Sequence, residues 1–141
     1  MIHTILEKKQ FSKDVFYLRV AAPEIARQRK AGQFVIIQLD IDYGERIPLT
    51  IADADPTEGW IALVVQAVGA TTIKLCQKEV GDSVAAILGP LGNPTHIAKV
   101  GKVVCVGGGI GTAPLHPIAQ AYKRAGNEVV IIIGGRTKEL V

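Results

Sequence analysis

Lys102-Val103-Val104-Cys105-Val106-Gly107-Gly108-Gly109-Ile110-Gly111-Thr112-Ala113-Pro114 decides the architecture of the C-terminal part of this chain. It opens on a short apolar, β-branched run, as a strand buried on both faces requires. A glycine-rich turn follows. Ala113–Ala125 then has helical spacing, with Pro114 tolerable in the first turn and Gly126 as the stop. Glu128–Ile133 is a second buried-type strand. Strand, glycine turn, helix, strand is a βαβ unit, and its crossover is expected to be right-handed.

The glycine turn carries chemistry as well as topology. Glycines let a phosphate approach the backbone, and the helix start offers free N–H groups with partial positive charge. The strict G-x-G-x-x-G spacing is not met: counted from Gly107 the third position is Thr112, and from Gly109 it is Pro114. A tight structural turn is the competing reading.

Working back toward the N-terminus, the first hundred or so residues read as β. Ile2–Lys9 and Val15–Ala22 are β-rich runs around the turn signal Ser12-Lys13-Asp14. Glu24–Lys30, after Pro23, suits one helical turn or a loop. Phe34–Leu39, a strand starting at Pro48–Ala52, and Trp60–Val68 follow, separated by polar turns. Thr71–Glu79 predicts one short helix with a threonine N-cap. Val84–Leu88 predicts a strand, and Gly89-Pro90-Leu91-Gly92-Asn93-Pro94 an irregular boundary. Short strands at regular spacing with turn chemistry between them predict a barrel or sandwich. The expected division is a β-barrel over 1–98 and the start of an α/β domain over 99–141. Two parallel strands do not complete a doubly wound sheet, so the α/β part is expected to be incomplete at Val141.

Composition narrows the function classes. The 141 residues are 48% hydrophobic, 21% charged and 5% aromatic, with a net charge of +3. Scattered basic residues and few aromatics argue against a nucleic-acid footprint. No apolar stretch approaches the roughly 20 residues a membrane span requires. Cys76 and Cys105 form no C-x-x-C pair, so no zinc or iron–sulfur site is expected from this chain's own cysteines. Buried thiols and the absence of a signal-peptide core at the N-terminus suggest a cytoplasmic setting. His3, His96 and His116 are isolated in sequence and read as structural.

Two further motifs are weak alone. Glu45-Arg46-Ile47-Pro48-Leu49-Thr50 offers an arginine that can grip phosphate and a hydroxyl that can bond a ring, against the reading of a solvated edge arginine. Gly69-Ala70-Thr71-Thr72 offers a glycine and hydroxyls at a helix start, against ordinary capping.

In this order, these motifs, with Gly81-Asp82, Gly89-Pro90-Leu91-Gly92 and Gly134-Gly135-Arg136-Thr137, resemble the ferredoxin–NADP reductase superfamily. They look closest to its branch of electron-transfer subunits, which serve NADH-dependent ferredoxin:NADP oxidoreductase, sulfide dehydrogenase, hydrogenase and dihydroorotate dehydrogenase. The resemblance implies a Greek-key flavin-binding barrel followed by a pyridine-nucleotide domain, with FAD and NAD(P)H as cofactors. Leu49 would lie against the flavin ring beside Pro48, and Thr50 would bond near flavin N5. The family arginine stands three residues before that hydroxyl; here Ile47 has that place, and Arg46 stands four before Thr50. Val65, Gln66 and Ala67 would give backbone contacts to the flavin, and Gly69, Thr71 and Thr72 would take the diphosphate with Arg46. Gly108, Gly109, Ile110, Gly111, Thr112 and Pro114 would hold the nicotinamide nucleotide, with Arg136 on its ribose or phosphate. The branch also carries a [2Fe–2S] centre on a C-terminal cysteine cluster, expected here only past Val141. Hydride would pass from the nicotinamide to the flavin, and electrons would leave singly to an iron–sulfur partner, a larger subunit of a hetero-oligomeric complex. A non-catalytic flavin- or nucleotide-binding module, and a plain interaction barrel, are the competing classes.

Overall fold

The computed structural model describes residues 2–40, 45–109 and 112–135. Seven strands form one antiparallel sheet in the order β6-β1-β2-β5-β4-β3-β7. They are β1 (His3–Gln10), β2 (Val15–Ala21), β3 (Phe34–Gln38), β4 (Arg46–Asp55), β5 (Trp60–Gln66), β6 (Ser83–Val84) and β7 (Ala86–Leu91). β6 and β7 stand at opposite ends of that order, yet only Ala85 separates them in the chain, and its N–H bonds the Leu39 carbonyl at 3.1 Å. The two edges therefore meet, and the sheet curls into a nearly closed barrel. This is the architecture expected of the first hundred residues.

Strand alternation sends Ile5, Leu18, Val20, Val35, Ile37, Ile61, Leu63 and Val65 inward, each at 0% exposure. Truncating one of these leucines or isoleucines to alanine costs about 2–5 kcal/mol. Helix α1 (Pro23–Gln28) starts on Pro23, whose missing N–H costs nothing there, and buries Ile25 and Ala26. Helix α2 (Ala70–Gln77) buries Leu75 and Cys76. Burial pushes the Cys76 thiol upward, with Lys8 acting in the opposite sense.

The second sheet pairs β8 (Lys102–Gly108) with β9 (Glu128–Gly134) in parallel, Lys102 opposite Glu128 and Gly108 opposite Gly134. Helix α3 (Thr112–Arg124) connects them and packs against β4 as well as against its own two strands. Among the described residues, no helix is long and apolar enough to cross a membrane.

Three sequence expectations are corrected. The run Val84–Leu88 is split by Ala85 between the two edges of the barrel. The segment Gly89-Pro90-Leu91 is strand, paired to β3 with Phe34 opposite Leu91, and its Gly89–Pro90 bond is cis. β7 is an edge strand, where a residue without an N–H is tolerated. The register shift between Phe34 and Ile36 absorbs the irregularity. Gly107 and Gly108 likewise extend β8 instead of beginning the turn.

Candidate functional site

β4 brings the arginine–threonine motif onto the barrel. Alternation puts Arg46, Pro48 and Thr50 on one face and Ile47, Leu49 and Ile51 on the other. Arg46 pairs with Gln38, Pro48 with Ile36, Leu49 with Val35 and Thr50 with Phe34. Arg46 and Pro48 are exposed, and Thr50 is half-buried. Leu49 is half-buried and packs against the barrel core.

At the end of β5 the Val65 side chain is wholly inside, so only its backbone is available to a ligand. Gln66 pairs with Val15, and the Ala67 N–H donates to the Asp14 carbonyl at 2.7 Å. The Thr72 hydroxyl accepts from the Val68 N–H at 3.1 Å and the Gly69 N–H at 2.9 Å, and donates to the Gly69 carbonyl at 3.0 Å. The N-cap is thus Gly69 and not a threonine, and Thr72, the third helical residue, bonds back to it as the returning half of a capping box. The amides of Ala70, Thr71 and Thr72 begin α2 and have no acceptor within the helix.

The Thr71 hydroxyl donates to Glu45 Oε2 at 2.6 Å. That bond ties the start of β4 to the start of α2, so motifs far apart in sequence share one corner of the barrel. A carboxylate at a helix N-terminus is the charge the helix dipole favours. A Cβ on Gly69 would meet only the Thr72 hydroxyl, at 3.9 Å, so the space before the helix is open. Open space and unsatisfied amides suit a diphosphate, which would take the place the Glu45 carboxylate holds here. The corner therefore fits the phosphate part of a dinucleotide.

The glycine turn has two kinds of glycine. A Cβ on Gly107 would lie 2.9 Å from Leu115 Cδ2 and 3.2 Å from Thr112 Cα, so this residue lets α3 approach β8 closely. Gly108 and Gly109 face nothing within 4 Å, and Gly109 has φ +55°. Thr112 Oγ1 is buried without a hydrogen-bond partner among the described residues. Open backbone beside an unpaired hydroxyl fits a nucleotide phosphate. Pro114 is half-buried in the first turn of α3. Ile110, Gly111 and Arg136 lie outside the described residues.

Several side chains that sequence reasoning passed over also matter. Asp53 on β4 lies 3.7 Å from Arg29 and 4.0 Å from His116 Nε2 on α3. Asn127 is buried; its Oδ1 accepts from Val100 N–H at 2.7 Å and Gly101 N–H at 2.9 Å. Its Nδ2 donates to the Ala98 and Tyr122 carbonyls at 3.0 and 2.9 Å. Gly126-Asn127 signals only a turn in sequence, and nothing in it announces four bonds. His3 Nδ1 lies 2.8 Å from the Ala21 carbonyl, and the His96 carbonyl accepts from the Tyr122 hydroxyl at 3.2 Å. No metal-ligating cluster occurs among the described residues.

No family model matches the chain. A dihydroorotate dehydrogenase B (NAD(+)) electron transfer subunit homolog of Thermotoga maritima is 45% identical over 138 residues, covering 98% of this chain and 49% of the relative. The dihydroorotate dehydrogenase B (NAD(+)) electron transfer subunit of Bacillus caldolyticus is 32% identical over 143 residues, covering 98% and 55%. The chain thus spans about half the length of these curated relatives. Among solved structures, an NADH-dependent reduced ferredoxin–NADP oxidoreductase studied for flavin-based electron bifurcation superposes with a TM-score of 0.95 at 44% identity. That match covers 100% of this chain and 51% of the other. The cytochrome b5 reductase domain of Ulva prolifera nitrate reductase, at 20% identity, shares the fold with a TM-score of 0.76, over 99% of this chain and 63% of that one. Sequence and fold together place the chain in the ferredoxin–NADP reductase superfamily, on the branch of its electron-transfer subunits.

Proposed function

We propose that residues 1–98 form an FAD-binding domain and residues 99–141 open an NAD(P)-binding domain, within a subunit that passes electrons from NAD(P)H through FAD to an iron–sulfur partner. The observation that carries this is the hydrogen bond from Thr71 to Glu45, which ties the start of β4, where Arg46 stands, to the first turn of α2 beside the open space at Gly69. FAD supplies the exchange between a two-electron hydride donor and one-electron acceptors. The chain's part is to bind and orient. The first amides of α2, with Gly69, Thr71, Thr72 and Arg46, hold the diphosphate. The Thr50 hydroxyl holds the reactive edge of the ring, with Pro48 on the same face of β4 and the backbone of Leu49 between them. The backbone of Val65, Gln66 and Ala67 lines the same corner. Gly108, Gly109, Ile110, Gly111, Thr112, Pro114 and Arg136 hold the nicotinamide nucleotide.

The partner in this proposal is a larger catalytic or iron–sulfur subunit, the [2Fe–2S] centre is held outside residues 1–141, and the setting is cytoplasmic. Absorption spectroscopy on the purified full-length subunit tests the reading. Yellow protein that bleaches anaerobically with NADH or NADPH supports it. Yellow protein that does not bleach favours a non-catalytic flavin module. Colourless protein that refuses added FAD sinks it.

A further inference from the structure

Away from the barrel corner, α1, the segment 94–97 and α3 enclose a second cleft of about 750 Å³. Its charge has one sign. Arg27, Arg29, Lys30 and Arg124 line it, and no carboxylate residue does among the described residues. Arg27 pairs with Glu24, and Arg29 with Asp53 at 3.7 Å, both acids lying outside the cleft lining. Among the described residues, Lys30 and Arg124 have no carboxylate within 4.0 Å.

Arg29 is the least solvated of the four, its side chain only 12% exposed. Burial pulls its guanidinium below the ordinary range; Asp53 opposes this and the charge of Arg124 adds to it. Arg29 and Arg124 come from different parts of the fold, one after α1 and the other at the end of α3. Like charges brought together in a partly dry cleft repel more strongly than in bulk water. An anion between them turns that repulsion into attraction. Thr95 and His96 also line the cleft, and Ala26, Ala31, Ile97, Pro117 and Ala121 give it an apolar wall.

We propose that this cleft binds an organic phosphate, its phosphate held by Arg29, Lys30 and Arg124 and its apolar body against the wall formed by Ala31, Ile97 and Pro117. A phosphate dianion matches several cations better than a carboxylate does, and guanidinium groups can grip it through two parallel bonds. The volume suits a ligand of small-molecule size, since such sites span roughly 300–1,000 Å³. Binding bridges α1 and α3, and so stiffens the junction between the barrel and the second sheet.

Calorimetric titration of the full-length protein with phenyl phosphate tests this, since that probe lacks the nucleoside the glycine turn would take. One molecule should bind saturably per chain. Arg124→Gln and, separately, Lys30→Gln should each weaken binding about tenfold, the worth of one charge-assisted contact. Both positions lie at the surface, and an unchanged melting temperature confirms intact folding. Inorganic phosphate should bind severalfold more weakly than phenyl phosphate. Affinity unchanged in both variants, or no saturable binding at millimolar probe, overturns the proposal.

Discussion

Asn127 uses both ends of its amide, and each end is used twice. Oδ1 closes the backbone of Val100 and Gly101, while Nδ2 closes Ala98 and Tyr122, so one side chain joins the linker to the end of α3. A leucine fills a similar volume but leaves buried donors and acceptors unpaired, at about 1–3 kcal/mol each where water cannot reach them. Asn127→Leu should therefore destabilise the protein by about 2–4 kcal/mol in urea denaturation. A loss below about 0.5 kcal/mol, the range of an ordinary surface change, would show that the linker is held by other means. This role was not legible in the sequence. A hydrogen-bond hub depends on where distant carbonyls arrive, and an Asn after a Gly looks like any turn.

At the scale of the element, α2 separates structure from proposed binding within two adjacent threonines. The Thr72 hydroxyl bonds back to the start of its own helix, whereas the Thr71 hydroxyl, among the described residues, reaches only Glu45, from a half-buried position. Thr72→Ala should cost about 1 kcal/mol of stability, the usual worth of a helix-capping side chain. Thr71→Ala should leave stability within about 0.5 kcal/mol and weaken FAD binding severalfold. Thermal melts and flavin fluorescence titrations on the full-length protein read the two effects apart. A Thr71→Ala variant with unaltered FAD affinity would remove that hydroxyl from the proposed site. The helix itself was legible, because Gly69 and two threonines precede an apolar pair at Leu75 and Cys76. The second half of β7 was not, because Gly89-Pro90 breaks strands in general and is tolerated here by its place at the sheet edge. The helical spacing over Ala113–Ala125 runs through Pro117, which stands inside α3, fully buried, at a position where proline ordinarily interrupts a helix.

For the whole molecule the two sheets differ sharply. The barrel encloses an apolar interior, with Leu6 and Leu88 the strand residues left exposed among its large apolar side chains, whereas the β8–β9 pair leaves Val104, Val106, Val130, Ile131, Ile132 and Ile133 exposed together, Val106 at 68% and Ile132 at 54%. Strands of that composition are built to be covered on both faces. Residues 1–141 alone should therefore retain flavin weakly and show no NAD(P)H turnover, read by gel filtration with flavin absorbance and by an anaerobic reductase assay. Robust turnover by this piece would mean that a two-stranded sheet suffices for nucleotide binding. Both the barrel and the βαβ unit were legible, since each rests on local periodicity and turn chemistry. The packing of α3 on β4 was not, because it joins surfaces whose sequences carry no shared signal.

The strand order has a consequence for synthesis. The last barrel strand ends at Leu91, and β8 does not begin until Lys102. Domains emerging from the ribosome fold from the N-terminus as their sequence becomes available. β2 can zip onto β1 at once, but the other side of β1 waits for Ser83 and Val84. Closure of the first lobe is thus timed by the arrival of the stretch from Ser83 to Leu91, which supplies both edges of the sheet. It can finish while the glycine-rich turn is still enclosed by the ribosome, so the order of translation becomes the order of assembly.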